Sequence, residues 1–398
     1  MPLDSDSQAI ENFKEYLRIP SVQPDCDYSG CVSFLKSQAN RLKLPISVHE
    51  VAPKKPVVII SWVGIQPDLP SLLLSSHMDV VPVYEDKWTH APFGAEQDES
   101  GNIYARGAQD MKCVGIQYLE AVYRLKTQGY SPLRTIHICF TPDEEIGSQG
   151  MRLFVETEAF QKLNVGCGLD EGMTSPDEIF NLFYGERTPY SLTFICSGTP
   201  GHGSLLHDNT AGEKLAVVIQ KLMEKRSEEK RKLKENPNLT LGDVISINLT
   251  MIEGGVQSNV LPPELKVVFD CRVNMDTDHE EFDEWLRDVC KEAGEGVTLL
   301  QPNKKKKVEP MVLDSGNPWW CVLKGEFEKM QLRVKPSILP GSTDARFIRN
   351  LGIPVFNFSP INNTPVLLHE HDEFLNAKVF LRGIDIYVNI ISALASIE

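Results

Sequence analysis

Five short apolar runs in this chain each end on a histidine or on carboxylates. Residues 71–76 lead into His77-Met78-Asp79, and residues 103–104 lead through Arg106-Gly107 into Asp110. Residues 135–141 lead into Asp143-Glu144-Glu145, and residues 165–169 into Asp170-Glu171. Residues 366–368 lead into His369-Glu370-His371-Asp372-Glu373. In the third of these, Ile136, Ile138 and Phe140 alternate with other residues and Pro142 stops the run, the pattern of a short inner strand ending in a turn. Open α/β sheets place their chemistry at the carboxyl ends of strands. Three adjacent carboxylates repel one another unless a cation or solvent takes up the charge. The sequence therefore predicts five polar turns gathered along one sheet edge.

The pattern between these turns sets the fold class. Residues 9–17 and 111–126 carry apolar stripes at helical spacing, residues 149–159 read as a helix, and strands are expected at 51, 57–62, 71–76, 135–141 and 165–169. Alternating strands and helices predict an α/β domain with a mostly parallel sheet. After about residue 187 the order changes to strand 190–196, helix 211–235, strands 243–250 and 264–272, helix 280–293 and strand 296–300. That is β-α-β-β-α-β, a complete ferredoxin-like domain. Residues 303–309 read as a linker, and 318–330, 342–350, 353–358 and 377–395 return to α/β alternation. At 398 residues the chain suits two domains. The expected division is a discontinuous domain of residues 1–186 and 310–398, with 187–309 inserted into it.

Composition excludes other classes. Forty Lys and Arg against 55 Asp and Glu leave a net charge of −15, so no nucleic-acid partner is expected. The lysine run 304–307 is short and reads as an exposed loop. No apolar run approaches the ~20 residues of a membrane span. The opening residues carry no basic segment followed by an apolar one. Nine cysteines show no Cys-x-x-Cys spacing, and Cys139, Cys196 and Cys271 sit in apolar runs. A reduced, cytoplasmic protein without a membrane partner is expected.

Imidazole and carboxylate ligands suit zinc. A single catalytic zinc needs about three protein ligands and an open position. Two histidines and at least three carboxylates are more than that, and they suit two ions bridged by a carboxylate. Asp110, with a glycine before it and a helix after it, is the expected bridge. Adjacent Glu144 and Glu145 divide the work, one binding metal and the other moving protons.

The motifs His77-Met-Asp79, Gly107-Ala-Gln-Asp110-Met-Lys112, Asp143-Glu-Glu145-Ile-Gly147, Asp170-Glu-Gly172, Pro200-Gly-His202 and His369-Glu-His-Asp-Glu373 resemble those of the zinc aminoacylase/carboxypeptidase family. That family also contains desuccinylases and carnosinase-type dipeptidases. The longer blocks Tyr104-Ala-Arg-Gly-Ala-Gln-Asp-Met-Lys-Cys113-Val, Asn317-Pro-Trp-Trp320, Thr364-Pro-Val-Leu-Leu-His369 and Phe380-Leu-Arg-Gly-Ile-Asp-Ile-Tyr387 are similar to its aminoacylase branch. The resemblance implies a dinuclear zinc hydrolase whose inserted domain serves dimerisation and as a lid. It implies two Zn2+ per subunit, one held by His77, Asp110 and Glu171 and the other by Asp110, Glu145 and His369. It implies that Asp79 bonds the His77 imidazole and sets its tautomer, and that Glu144 is the general base. His202 would stabilise the oxyanion in a neighbouring subunit's site within a homodimer. Asn259, Arg272, Thr343 and Arg346 would line the substrate pocket, the arginines facing a substrate carboxylate. The implied reaction is hydrolysis of N-acyl-L-amino acids. The rivals are a dipeptidase or desuccinylase on the same metals, and a non-catalytic dimeric scaffold.

Overall fold

The computed structural model describes residues 4–302 and 306–398 and separates into two compact units. The first comprises Met1–Tyr184, Met311–Pro336 and Thr343–Glu398, and the second Gly185–Pro310 and Ser337–Ser342. The boundary falls within the strands Phe180–Glu186 and Val334–Leu339. Residues 303–305 of the expected linker and lysine run lie outside the described residues, and 306–309 have no regular structure.

An eight-stranded sheet runs in the order Ile46–Ala52, Lys55–Trp62, Ile136–Thr141, Ser71–His77, Val165–Asp170, Val355–Asn357, Phe180–Glu186, Val334–Leu339. Its four central strands are parallel, and the first two strands and Phe180–Glu186 join it antiparallel. The period of two decides which side chain faces which layer. Leu72, Leu74, Ile136, Ile138 and Phe140 pack under the helices Ser5–Leu17, Lys112–Thr127 and Ala377–Ala395. Val57, Ile59, Leu73 and Cys139 face the opposite layer, with Phe154 of Gln149–Phe154, Phe160 of Glu158–Lys162 and Ile348 of Ala345–Arg349. Each such apolar side chain contributes about 1.5–3 kcal/mol by leaving water. Gly115 lets the helix Lys112–Thr127 approach the strand that ends at His77. A Cβ there would stand 2.7 Å from Ser76 Oγ and 2.8 Å from the Phe140 ring.

Three expectations change. The helix expected over 149–159 is two short helices, Gln149–Phe154 and Glu158–Lys162, and Thr157 caps the second by accepting from the Phe160 N–H. Residues 366–368 form no strand. The strand Asn102–Tyr104 lies in a separate antiparallel sheet with Glu96–Gln97 and Phe374–Asn376. The five polar turns therefore do not share one sheet edge. His77, Glu144–Glu145 and Glu171 follow adjacent strands of the main sheet, whereas Asp110 and His369 flank strands of the small one.

The second unit contains Thr188–Ser197, Ala211–Glu235, Ser246–Gly254, Glu264–Val273, His279–Ala293 and Val297–Leu300 in chain order. Its sheet runs Ser246–Gly254, Glu264–Val273, Thr188–Ser197, Val297–Leu300, antiparallel throughout, the ferredoxin-like arrangement. Val218 and Leu222 from one helix and Phe282 and Leu286 from the other cover Leu192, Phe194, Phe269 and Cys271. The 25-residue helix begins with a capping box between Thr210 and Glu213. All nine cysteines are free thiols, seven of them buried. Among the described residues no helix is long and apolar enough to cross a membrane.

Candidate metal centre

Asp110 stands at the middle of the first unit's polar cluster. Its Oδ1 lies 3.1 Å from His77 Nε2, and its Oδ2 lies 3.2 Å from His369 Nε2. One carboxylate thus presents an oxygen to each histidine. His77 Nε2 is also 3.5 Å from Glu171 Oε2, and His369 Nε2 is 3.1 Å from Glu145 Oε2. Ligand atoms of His77, Asp110 and Glu145 lie within 4.8 Å of one another, as do those of His77, Glu144 and Glu171. His77 is buried, and His369 is 53 % exposed.

This cluster fits divalent cations on three counts. Ligands at ~2.0–2.1 Å from a tetrahedral zinc are about 3.3 Å apart, close to the separations here. Second, His77 Nδ1 is 2.9 Å from the Asp79 carbonyl, which can only accept, so the Nδ1 proton is committed there. The Nε2 lone pair then faces carboxylate oxygens, and only a proton or a cation between them makes that favourable. Third, Glu145 Oε1 is buried without a hydrogen-bond partner among the described residues. A buried orphan carboxylate oxygen costs free energy unless something pairs it.

The electrostatics agree. Burial and the Glu171 charge push the Glu144 carboxyl well above its ordinary value. Burial and Asp110 raise the Glu145 carboxyl and push that of Glu171 well above its ordinary value. Burial alone would raise Asp110 too, but His369 and His77 hold it well below the usual carboxylate range. His369, bonded to Asp110 and Glu145, is pushed up to about 10. In this geometry the imidazoles stand in as the missing positive charge.

The turn carrying Glu144 and Glu145 is gripped from behind. Asp79 Oδ1 accepts from the Glu144 N–H at 3.1 Å, and its Oδ2 from the Glu145 N–H at 3.2 Å and from Gln23 Nε2 at 2.9 Å. The Asp79 carboxylate is 3.4 Å from His77 Nδ1, so the nearer partner of the imidazole is the Asp79 carbonyl. Asp143 points away, pairing with Lys55 and accepting from the Gly150 N–H.

Thr343 and Arg346 belong to the same unit and are buried. Thr343 Oγ1 accepts from Asn357 Nδ2 at 3.0 Å and from the Ala345 N–H at 3.3 Å. Between them Asp344, given no role in the sequence reading, is buried and accepts from Thr141 Oγ1 at 2.5 Å. Burial and Asp170 raise its carboxyl to about 8. Glu373 and Gln109 likewise carry no local sequence signal, because their hydrogen bonds go to backbone more than 250 residues away.

His202, Asn259 and Arg272 belong to the second unit. His202 pairs with Val260 across a two-residue ladder, and its Nδ1 accepts from the Ser204 N–H at 3.2 Å. The proton of a neutral imidazole therefore sits on Nε2, the atom left to donate. The Asn259 carbonyl accepts from the Gly203 N–H at 2.8 Å, which ties it to the same loop. Arg272 Nε is 3.2 Å from both oxygens of Asp270.

The profile of peptidase family M20/M25/M40 matches residues 73–393. Aminoacylase-1 of Sus scrofa is 48% identical over 395 residues, covering 99% of this chain and 97% of that protein. Among solved structures, the M20 family metallo-carboxypeptidase Sso-CP2 of Sulfolobus solfataricus superposes with a TM-score of 0.75 at 18% identity, covering 98% and 99% of the two chains. The YXEP protein of Bacillus subtilis, described as a dinuclear metal-binding peptidase, does so at 0.72 and 14%, covering 98% of each.

Proposed function

The chain belongs to peptidase family M20/M25/M40, and on that premise we propose that it is a zinc-dependent amidohydrolase that cleaves N-acyl-L-amino acids to a carboxylate and a free amino acid. The observation that carries this is 48% identity to an aminoacylase-1 across nearly the whole chain, and the clustering of His77, Asp110, Glu145, Glu171 and His369 supports it. His77, Asp110 and Glu171 would hold one zinc and Asp110, Glu145 and His369 the other. Bound there, the ions supply Lewis acidity toward the acyl carbonyl and acidify water.

The chain's own groups do the rest. Glu144 takes the proton of the attacking water and returns it to the departing amine, since its carboxylate lies beside His77 and Glu171. His202 donates from Nε2 to the developing oxyanion, a role in which a positioned donor contributes about 2.7–4 kcal/mol. Arg346 and Thr343 of the first unit, and Arg272 and Asn259 of the second, are the residues assigned to holding the substrate. The active species in this reading is a homodimer in the cytoplasm, its inserted domain of residues 187–309 delivering His202 to the partner's site. The outer domain, residues 1–186 and 310–398, carries the metals.

Purified protein, loaded with zinc, is expected to release acetate from N-acetyl-L-methionine. Dipeptides and N-succinyl amino acids are expected to react poorly. Faster cleavage of a dipeptide or a succinyl substrate would transfer the assignment to the rival on the same metals, and inactivity toward all three would leave the scaffold.

A further inference from the structure

Glu373 has 0 % exposure and accepts from four donors of one short segment. Its Oε2 takes Arg106 Nη1 at 2.8 Å and the Gly107 N–H at 3.1 Å. Its Oε1 takes the Gln109 N–H at 2.5 Å and the Asp110 N–H at 3.2 Å. The segment has little regular structure of its own: Gly107 has φ +90°, and the helix starts only at Lys112. Without Glu373, three backbone N–H groups and a guanidinium would be buried around nothing.

The grip is returned. Gln109 Nε2 donates to the carbonyls of Pro365 at 3.1 Å and Phe374 at 2.9 Å, and its Oε1 accepts from the Leu367 N–H at 3.0 Å. Those three residues bracket His369. So a side chain from the His369 segment holds the Asp110 turn, and a side chain from the Asp110 turn holds the His369 segment. Asp110 and His369 are the two members of the centre that do not follow strands of the main sheet, and they need another device to fix their spacing.

We propose that Glu373 and Gln109 form a reciprocal clasp that sets the position of Asp110 against His369, and so are positioning residues for the metal centre. The inference rests on the metal-dependent reading above. It concerns residues that touch neither the cluster's ligand atoms nor, in the mechanism, the reacting atoms. A carboxylate suits the first half of the clasp because it is acceptor-only, with room for four donors on two oxygens. An amide suits the second half because it must donate twice and accept once.

The test uses E373Q and Q109L in the full-length protein. A glutamine at 373 keeps the shape but turns an NH2 toward one pair of donors, which frees the Asp110 turn. E373Q is expected to weaken both zinc sites about 10–100-fold, the range for partners that orient metal ligands. Q109L is expected to weaken by a similar factor only the site that includes His369. Affinities come from chelator competition, and the visible absorption of the cobalt(II)-substituted proteins reports ligand geometry. A fold staple and nothing more would lower the melting temperature of the metal-free protein and leave affinities and spectrum unchanged. That result, with both affinities within about threefold of the parent, would overturn the clasp. If E373Q does not fold, Q109L decides alone, since it removes no charge. Failure of the hydrolase reading would look different: zinc affinities would respond as described while the parent left N-acyl amino acids uncleaved.

Discussion

Replacing Asp79 by Asn separates two roles that one residue can have. If its carboxylate orients the His77 imidazole, D79N should damage the zinc site of His77 and Glu171. The geometry assigns it to the neighbouring turn instead, because Nδ1 of His77 already has the Asp79 carbonyl at 2.9 Å, and asparagine keeps that carbonyl. The carboxylate holds three donors: the N–H groups of Glu144 and Glu145 and the Gln23 amide. Asparagine offers one oxygen, so at least one N–H then meets an NH2. A hydrogen bond to a charged group is worth roughly 1.5–3 kcal/mol, and an unsatisfied buried donor costs ~1–3 kcal/mol. Relaxation of the turn recovers part of this, so the metal-free protein should lose about 3 kcal/mol in a urea or guanidinium titration. The same slack moves Glu144 and Glu145. We expect kcat to fall about 10–100-fold and zinc to bind more weakly at the site of Glu145 and His369. The site of His77 and Glu171 should change little. Selective loss at the His77 site, with unchanged stability, would refute the assignment of Asp79 to the turn.

E144Q should keep its zinc while kcat drops by about 10²–10⁴, and E145Q should lose zinc affinity; the reverse pattern in a metal assay would exchange their roles. Burial beside Ser61, with no countercharge among the described residues, pushes the His137 imidazole down to about 4 in the folded chain against 6.5 in the unfolded one. The unfolded chain then binds more protons between those values, so H137N should remove roughly 3 kcal/mol of acid destabilisation, fully present at pH 4 and absent above pH 6.5. Unfolding curves of parent and variant that stay parallel across that window would exclude it. Refolding H202A and E144Q subunits together should restore activity to roughly a quarter of all sites if His202 acts across the dimer, because half the dimers are mixed and each holds one intact site. Confirmed mixed dimers without activity would place His202 in its own subunit's site.

The parts of this fold that were legible in the sequence are those fixed by short-range periodicity. The helices Ser5–Leu17 and Lys112–Thr127 read directly from the apolar stripes of residues 9–17 and 111–126. The β-α-β-β-α-β order needed only the sequence of strands and helices, and the antiparallel four-stranded sheet follows from it. What failed was the inference from a shared local pattern to a shared sheet. Residues 366–368 are as apolar as a strand, yet no strand among the described residues pairs with them; the Gln109 amide takes up the Leu367 N–H instead. Residues 103–104 do form a strand, but its partners are Phe374–Asn376 and Glu96–Gln97, and nothing local in the sequence specifies a pairing over some 270 residues.

The same limit separates the visible residues of the centre from the hidden ones. The five polar turns announce themselves because charge and imidazole are conspicuous beside apolar runs, whereas the choice of His369 over His371 comes from the family resemblance. Glu373 and Gln109 are ordinary letters in those motifs and Asp79 is assigned to the imidazole rather than to the turn behind it, while the work of all three lies in which backbone groups they satisfy. A ligand is defined by the atom it offers, which a sequence displays. A positioning residue is defined by the chain segment it immobilises, here 106–110 for Glu373 and 144–145 for Asp79. Both are buried carboxylates wrapped in backbone N–H groups, one behind each of the two turns that carry Asp110 and Glu145. The negative charge in this cluster therefore has two functions that must stay separate. The carboxylates facing the centre need a cation, and the two behind it already face hydrogen-bond donors: backbone N–H groups and, for Glu373, the Arg106 guanidinium. That division lets six acidic side chains crowd one site without the outer pair competing for metal.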